Sequence, residues 1–466
     1  MTQLAGAASS SLSTTLATWS ARVRLGDLPD DVRVLTRQRI LDIIGVALTA
    51  VGTTFGNGVH EAARELGTGD HSTVLGYGTR LPANLAALVN GALAHEFEFD
   101  DTHNETAIHV SSPVVVTALA LGERLRASGA DVLAAVAAGN EVVCRIGIVA
   151  PGEFYKSGFH PTGIVGTFGA TAAACRLMGL DAAATAHALG IAGSMTSGSM
   201  ESWSDGASAK SLHPGWSAHA AITAATLAAA AVSGPVRVFE GRLGFFHQHV
   251  RDTAYAFDYA RARDALGERW ESRNISFKPY PTGHVSHAFI DAALKLRADG
   301  LRPEQIKRVV CPIAAFMVQL MCEPVAEKLR PATTWHARVS LPFTLAEAFL
   351  YGKVDADSFT AERLADPRLR AFAERVEYRV DETAPGREQW RGWVIAELHD
   401  GSRREHVQPY NWGSPQNPMT QEQIEAKFRT NAVPKIGAAR ADQVMRQVSA
   451  LDQVDAITEV LKACVR

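Results

Sequence analysis

Ala220-Ala221-Ile222-Thr223-Ala224-Ala225-Thr226-Leu227-Ala228-Ala229-Ala230-Ala231-Val232 is the longest apolar run in the chain, and its reading decides the fold class. It is mostly alanine, the best helix former, and too short to cross a bilayer, which takes about 20 apolar residues. A helix that is apolar on every side belongs inside a bundle rather than on its surface. The same alanine-rich pattern recurs upstream, so the chain reads as helical almost throughout from residue 11 to about residue 250.

Working outward, Leu28-Pro29-Asp30-Asp31 opens a helix with apolar positions at Val34, Leu35, Ile40, Leu41, Ile44 and Val46. Further helices are expected at about 82–97, 113–128, 131–149, 163–178, 183–199 and 208–232. Gly163, Gly166 and Gly169 lie three apart at the start of one of them. The strand and lysine of a phosphate loop are missing there, so close helix packing is the better reading. Near residue 270 the pattern changes. Arg308 to Ile313 and Val376 to Val380 read as strands, and Trp390 to Leu398 with Glu405 to Gln408 as a hairpin around Asp400-Gly401. Helices at about 284–298, 339–352 and 358–374 sit among them, and Thr420 starts another after a Gly- and Pro-rich loop. The expected fold is mainly α: a large helical domain over 1–270, an inserted smaller α+β lid domain over 271–410, and C-terminal helices over 411–466 returning to the helical domain.

Composition narrows the function. A net charge of −3 gives no broad basic surface, which argues against a nucleic-acid partner. The five cysteines form no CxxC pair, so free thiols are expected rather than a zinc ribbon or a disulfide framework. With no signal-peptide pattern and no membrane span, the expected location is the cytoplasm.

Four segments carry chemistry. Glu96-Phe97-Glu98-Phe99-Asp100-Asp101-Thr102-His103, closing at His109, sets four carboxylates beside two phenylalanines. Clustered acids against apolar surface shift one another's pKa, as general acid–base work near neutral pH requires; a solvated acidic loop is the plain alternative. Metal binding ranks below metal-free acid–base work, because the spacing matches no HExxH-type motif. In Gly158-Phe159-His160-Pro161-Thr162-Gly163, the proline puts His160 at a helix N-terminus, facing an anion site or simply packed. Lys210, in Ala209-Lys210-Ser211-Leu212-His213-Pro214-Gly215-Trp216, lies in apolar sequence where an unpaired ammonium is costly. Phe277-Lys278-Pro279-Tyr280-Pro281-Thr282-Gly283-His284 is rigid and falls where the two domains should join.

Taken together and in this order, EFDDTH with HVSSP, HPTGIVGTFGA, AKSLHPGWSAHA, FKPYPTGHVSHAFIDAA and GSPQNPMTQEQIEAKF resemble the MmgE/PrpD family over nearly the whole chain. That family includes 2-methylcitrate dehydratases, cis-aconitate decarboxylases and an iminodisuccinate epimerase. The resemblance implies a homodimer, a cleft between domains, no cofactor and metal-free chemistry on a small polycarboxylate. Carried over by motif, the site holds the acid of the FDDT segment, Thr102, His109, His160, Lys210, Lys278 and His284. Glu98 stands where the family pattern begins with aspartate, and Gly283 where decarboxylase members have a site histidine.

The expected activity is a hydro-lyase acting on a small hydroxy-di- or tricarboxylate. Lys210, His213, Lys278 and His284 bind the substrate, and His109 or His160 removes a proton beside a carboxylate. Glu98, Asp100 or Asp101 then protonates the departing hydroxyl. The alternatives are an epimerase or isomerase, a decarboxylase, and a family member that binds a metabolite without turning it over.

Overall fold

The computed structural model of the protein describes residues 11–465. Helices Asp30–Thr49, Ala83–His95, Ser111–Leu125, Gly129–Gly147, Pro161–Leu177, Ala182–Ala192 and His213–Ala229 form the bundle foreshadowed by the alanine-rich runs. Small residues allow the helices to cross closely. A Cβ on Gly215 would lie 2.1 Å from the Leu88 carbonyl, so helices 83–95 and 213–229 touch backbone to backbone. This crossing brings His95, at the end of one helix, toward Lys210, just before the other. Gly169 packs in the same way against helix 129–147, where a Cβ would lie 2.4 Å from the Gly139 carbonyl.

Several expected helices end early, for local reasons. Helix 182–192 stops at Gly193, and the chain beyond it runs back so that Ser199 bridges Phe159 and the Gly198 carbonyl accepts from His160 N at 2.8 Å. Residues 208–212 form a 3₁₀ turn, and the α-helix begins at His213, where Pro214 needs no N–H partner. Pro367 splits the expected 358–374 helix into Ala361–Ala365 and Pro367–Ala373.

A four-stranded sheet follows the bundle, in the order Val376–Val380, Ile306–Ile313, Gly392–Leu398, Arg403–Gln408. The first pair is parallel and the rest antiparallel, with the hairpin turning at Gly401 in a left-handed conformation of φ 86°. The apolar side chains form two main clusters. One draws on Leu12 to Phe277 together with Met419 to Cys464, and the other on Tyr280 to Leu398 with Ala107. Trp412 packs against both. Thr420 caps helix Gln421–Ile436, whose Lys427 pairs with Asp42 at 2.7 Å and donates to the Phe99 carbonyl at 3.0 Å. The C-terminal chain thus grips the acidic segment. All five cysteines are free and buried, and among the described residues no single helix is long and apolar enough to cross a membrane.

The Gly169 contact is testable. Gly169→Ala should cost about 1–3 kcal/mol in urea unfolding, since its neighbours are a backbone carbonyl and the Val143 side chain of a packed helix. An unchanged midpoint would mean that these helices do not cross so closely.

Candidate active site

Helix Ala83–His95 delivers His95 into the protein, and the chain then reverses through Glu98, whose φ is 53°. A non-glycine residue there carries strain of about 1–2 kcal/mol. Lys278 Nζ donates to the Glu98 carbonyl at 2.8 Å, which holds the reversed backbone in place. Thr102 and His103 then pair antiparallel with Ser276 and Ile275. That two-residue ladder explains how Lys278, far away in sequence, reaches the acidic segment.

Glu98 is the electrostatic centre. Its carboxylate bonds directly to Lys210 Nζ and lies 3.5 Å from Lys278 Nζ and 3.6 Å from His109 Nε2. Burial alone would raise its pKa, but Lys210, Lys278 and the nearby imidazoles outweigh it and hold the carboxyl well below its usual range. Asp100 is fully buried and likewise held ionised against its desolvation by His109 and His95. His95 Nδ1 bonds to it at 3.0 Å, and His109 Nδ1 lies 3.1 Å away. An ionised carboxylate only accepts, so the His95 ring carries its proton on Nδ1 and keeps a lone pair on Nε2; His109 Nδ1 lies beside the same carboxylate without hydrogen-bond alignment, an ion-pair contact that favours a proton on that nitrogen. The His95 lone pair takes a bond from Lys210 Nζ at 2.8 Å. Burial, with Lys210 nearby, pushes the His95 pKa down to about 4. The His109 ring lines a pocket, and its backbone N donates to Thr162 Oγ1 at 3.0 Å.

The pocket is lined by two parts of the chain: Glu98, Thr102, His109, Tyr155 and Lys210, mostly polar, and His284, Val285, Met321, Val339 and Trp390, mostly apolar. Thr102 Oγ1 is buried with no hydrogen-bond partner among the described residues. Charged groups beside apolar ones suit a small anion whose reacting carbon must be kept from water.

Not every residue expected at the site reaches the pocket. Asp101 turns away: it accepts from Ser111 N at 3.0 Å, lies 4.0 Å from Arg39 Nε and anchors the start of helix 111–125. His160 is buried at its helix N-terminus, but its Nδ1 is 3.0 Å from His213 Nδ1 and neither ring lines the pocket. Burial, then Lys210, holds both imidazoles neutral, His213 down to about 3. His213 opens instead onto an outer apolar groove with Phe55, Leu66 and Trp216. One ring nitrogen each of His95, His109 and His160 lies within 4.8 Å of the others. His95, Tyr155, Trp203 and Trp390 were missed by the sequence reading; His95, directly before the acidic stretch, was the one with a visible signal.

The chain matches the MmgE/PrpD N-terminal domain over residues 14–258 and the MmgE/PrpD C-terminal domain over residues 280–452. It belongs to the MmgE/PrpD family, as its motifs implied. "Cis-aconitate decarboxylase" of Homo sapiens is 28% identical over 471 residues, spanning 97% of this chain and 95% of that protein. The Mus musculus protein of the same name is 25% identical over 450 residues, 94% and 91% of the two chains. One from Aspergillus terreus is 26% identical over 477 residues, 98% and 96%.

The role of Asp100 makes a direct prediction. Asp100→Asn offers an N–H where a carboxylate stood, so His109 loses the partner that keeps its lone pair on Nε2. Turnover should fall about 10²–10⁴-fold, the usual worth of a general base, with the helical circular dichroism retained. Wild-type turnover in that variant would remove Asp100 from the site.

Proposed function

We propose that the protein is a metal-independent lyase of small polycarboxylates, and that decarboxylation of an unsaturated tricarboxylate such as cis-aconitate is its reaction. The observation that carries this reading is the Asp100–His109 pair, 3.1 Å apart, at the wall of a pocket shared with Lys210. Lys210 is the cation that lines the pocket, where it can meet a substrate carboxylate, while Lys278 sits behind it and holds the Glu98 turn. As the C–C bond to the departing carboxylate breaks, its electron pair forms a new C=C and displaces the old one. The displaced pair builds up beside a second carboxylate as an enolate-like charge. Lys210 stabilises that charge, and His109 Nε2 passes to the carbon a proton that it takes up from solvent. Residues 271–410 act as the lid that keeps water out.

The preference over dehydration rests on the acids. A departing hydroxyl needs a proton, and the expected donors were Glu98, Asp100 and Asp101. The first two are held ionised and the third points at Arg39, so none of these three is poised for that task. The near full-length relatives named as cis-aconitate decarboxylases support the same choice. Dehydration stays as the second reading on one observation, the unpartnered Thr102 hydroxyl in the pocket, which suits a substrate hydroxyl.

Metal independence is argued from occupancy of the donors. The three-histidine cluster has ligand-like spacing, but His95 Nε2 already accepts from the Lys210 ammonium at 2.8 Å, and that charge repels a cation.

Incubation with cis-aconitate should release carbon dioxide in step with formation of a dicarboxylate, read by mass spectrometry. Water loss from a hydroxytricarboxylate without carbon dioxide would favour dehydration, and no conversion of any polycarboxylate would sink the lyase reading. Lys210→Ala should abolish turnover while leaving the fold intact, since Glu98 keeps Lys278 as a partner. Activity should survive EDTA; loss restored by a divalent cation would contradict the metal-free mechanism.

A further inference from the structure

We propose that His284 is a neutral hydrogen-bond donor to a substrate carboxylate, fixed in its Nδ1–H form by a buried chain of two asparagine amides, Asn104 and Asn411. Ser276 Oγ donates to Asn104 Oδ1 at 2.8 Å, Asn104 Nδ2 to Asn411 Oδ1 at 3.2 Å, and Asn411 Nδ2 to His284 Nε2 at 2.8 Å. All four residues are buried. An amide NH₂ only donates, so His284 Nε2 must accept and the ring proton sits on Nδ1. That Nδ1 is buried and has no partner among the described residues, while the ring lines the pocket together with Lys210. A buried N–H with no partner, in a pocket wall, is a place for a ligand oxygen.

The direction of the chain matters, because reversing both amides would reverse the tautomer. The Trp412 carbonyl selects between them. It lies 3.5 Å from Asn411 Nδ2, and a flipped amide would point its own oxygen at that carbonyl. An edge-to-face contact with Trp390 at 5.1 Å and a tilted one with His287 at 4.6 Å between centroids hold the ring plane. Burial and the nearby cations keep the imidazole uncharged. The device joins three segments: Asn104 comes from the acidic segment, Asn411 from the loop after the last strand, and His284 from the pocket lining. Asn104 and Asn411 are therefore positioning residues, acting through His284.

The donor role rests on the polycarboxylate reading, whereas the tautomer can be measured without any ligand. In ¹⁵N-labelled protein, imidazole signals assigned by their loss in His284→Phe should show a protonated Nδ1 and a bare Nε2. Asn104→Asp offers only acceptors to Asn411, so Asn411 should turn its oxygen to His284 and move the proton to Nε2. In that variant, binding of propane-1,2,3-tricarboxylate by calorimetry should weaken about tenfold with an unchanged melting temperature. His284→Asn, which places an amide N–H near the Nδ1 position, should keep affinity within about threefold, whereas His284→Phe should lose it; this pair decides the donor role if Asn104→Asp does not fold. A protonated Nε2 in the wild type, or an unmoved proton in Asn104→Asp, overturns the tautomer. A wild type with the Nδ1–H form that binds no tricarboxylate overturns the donor role and the polycarboxylate reading while leaving the tautomer standing.

Discussion

Two buried ammonium groups share one buried carboxylate, and most of the site follows from that constraint. Glu98 stays ionised in this interior because Lys210 and Lys278 both lie against it. Removing one member of a buried ion pair costs about 3–5 kcal/mol. The three come from distant parts of the chain, so the backbone is built to bring them together. The reversed turn at Glu98, the short ladder between Thr102–His103 and Ile275–Ser276, and the Gly91–Gly215 helix crossing all serve this meeting.

Asp100 sets the second layer. By accepting from His95 and lying against His109, it favours the same tautomer in the two imidazoles and gives them different tasks. His95 spends its lone pair on Lys210 and aims the ammonium, while His109 keeps its own for the pocket. His284, in the same pocket lining, accepts from Asn411 on one ring nitrogen and leaves the other free to donate. An acceptor and a donor in one pocket suit moving a proton on an anion that the donor holds.

Much of this was legible in the sequence, and the illegible part has a physical reason. Alanine-rich runs marked the bundle, Asp-Gly marked the hairpin turn, and Thr420 marked its helix start, because each is a local preference. Lys210 stood out as a charge in apolar sequence, and Lys278 as one in a rigid, proline-flanked segment at the domain junction. Local pattern could not tell Asp100 from Asp101, adjacent residues of one type, since only the fold sends one to two histidines and the other to Arg39. Nor could it show that Gly198 pairs with His160 and so ends the 182–192 helix early. Asn411 carries no signal of its own in the sequence, and its contact with His284 leaves no mark in either segment.

The central claim is that His109, oriented by Asp100, exchanges a proton with a carbon next to a bound carboxylate. The most direct measurement is deuterium content at that carbon after turnover in deuterium oxide, compared between wild type and His109→Gln. The account predicts one solvent deuteron at that carbon in the wild-type product, and no product or exchange above background in the variant. Full, stereospecific deuterium uptake by His109→Gln at the wild-type rate would contradict it.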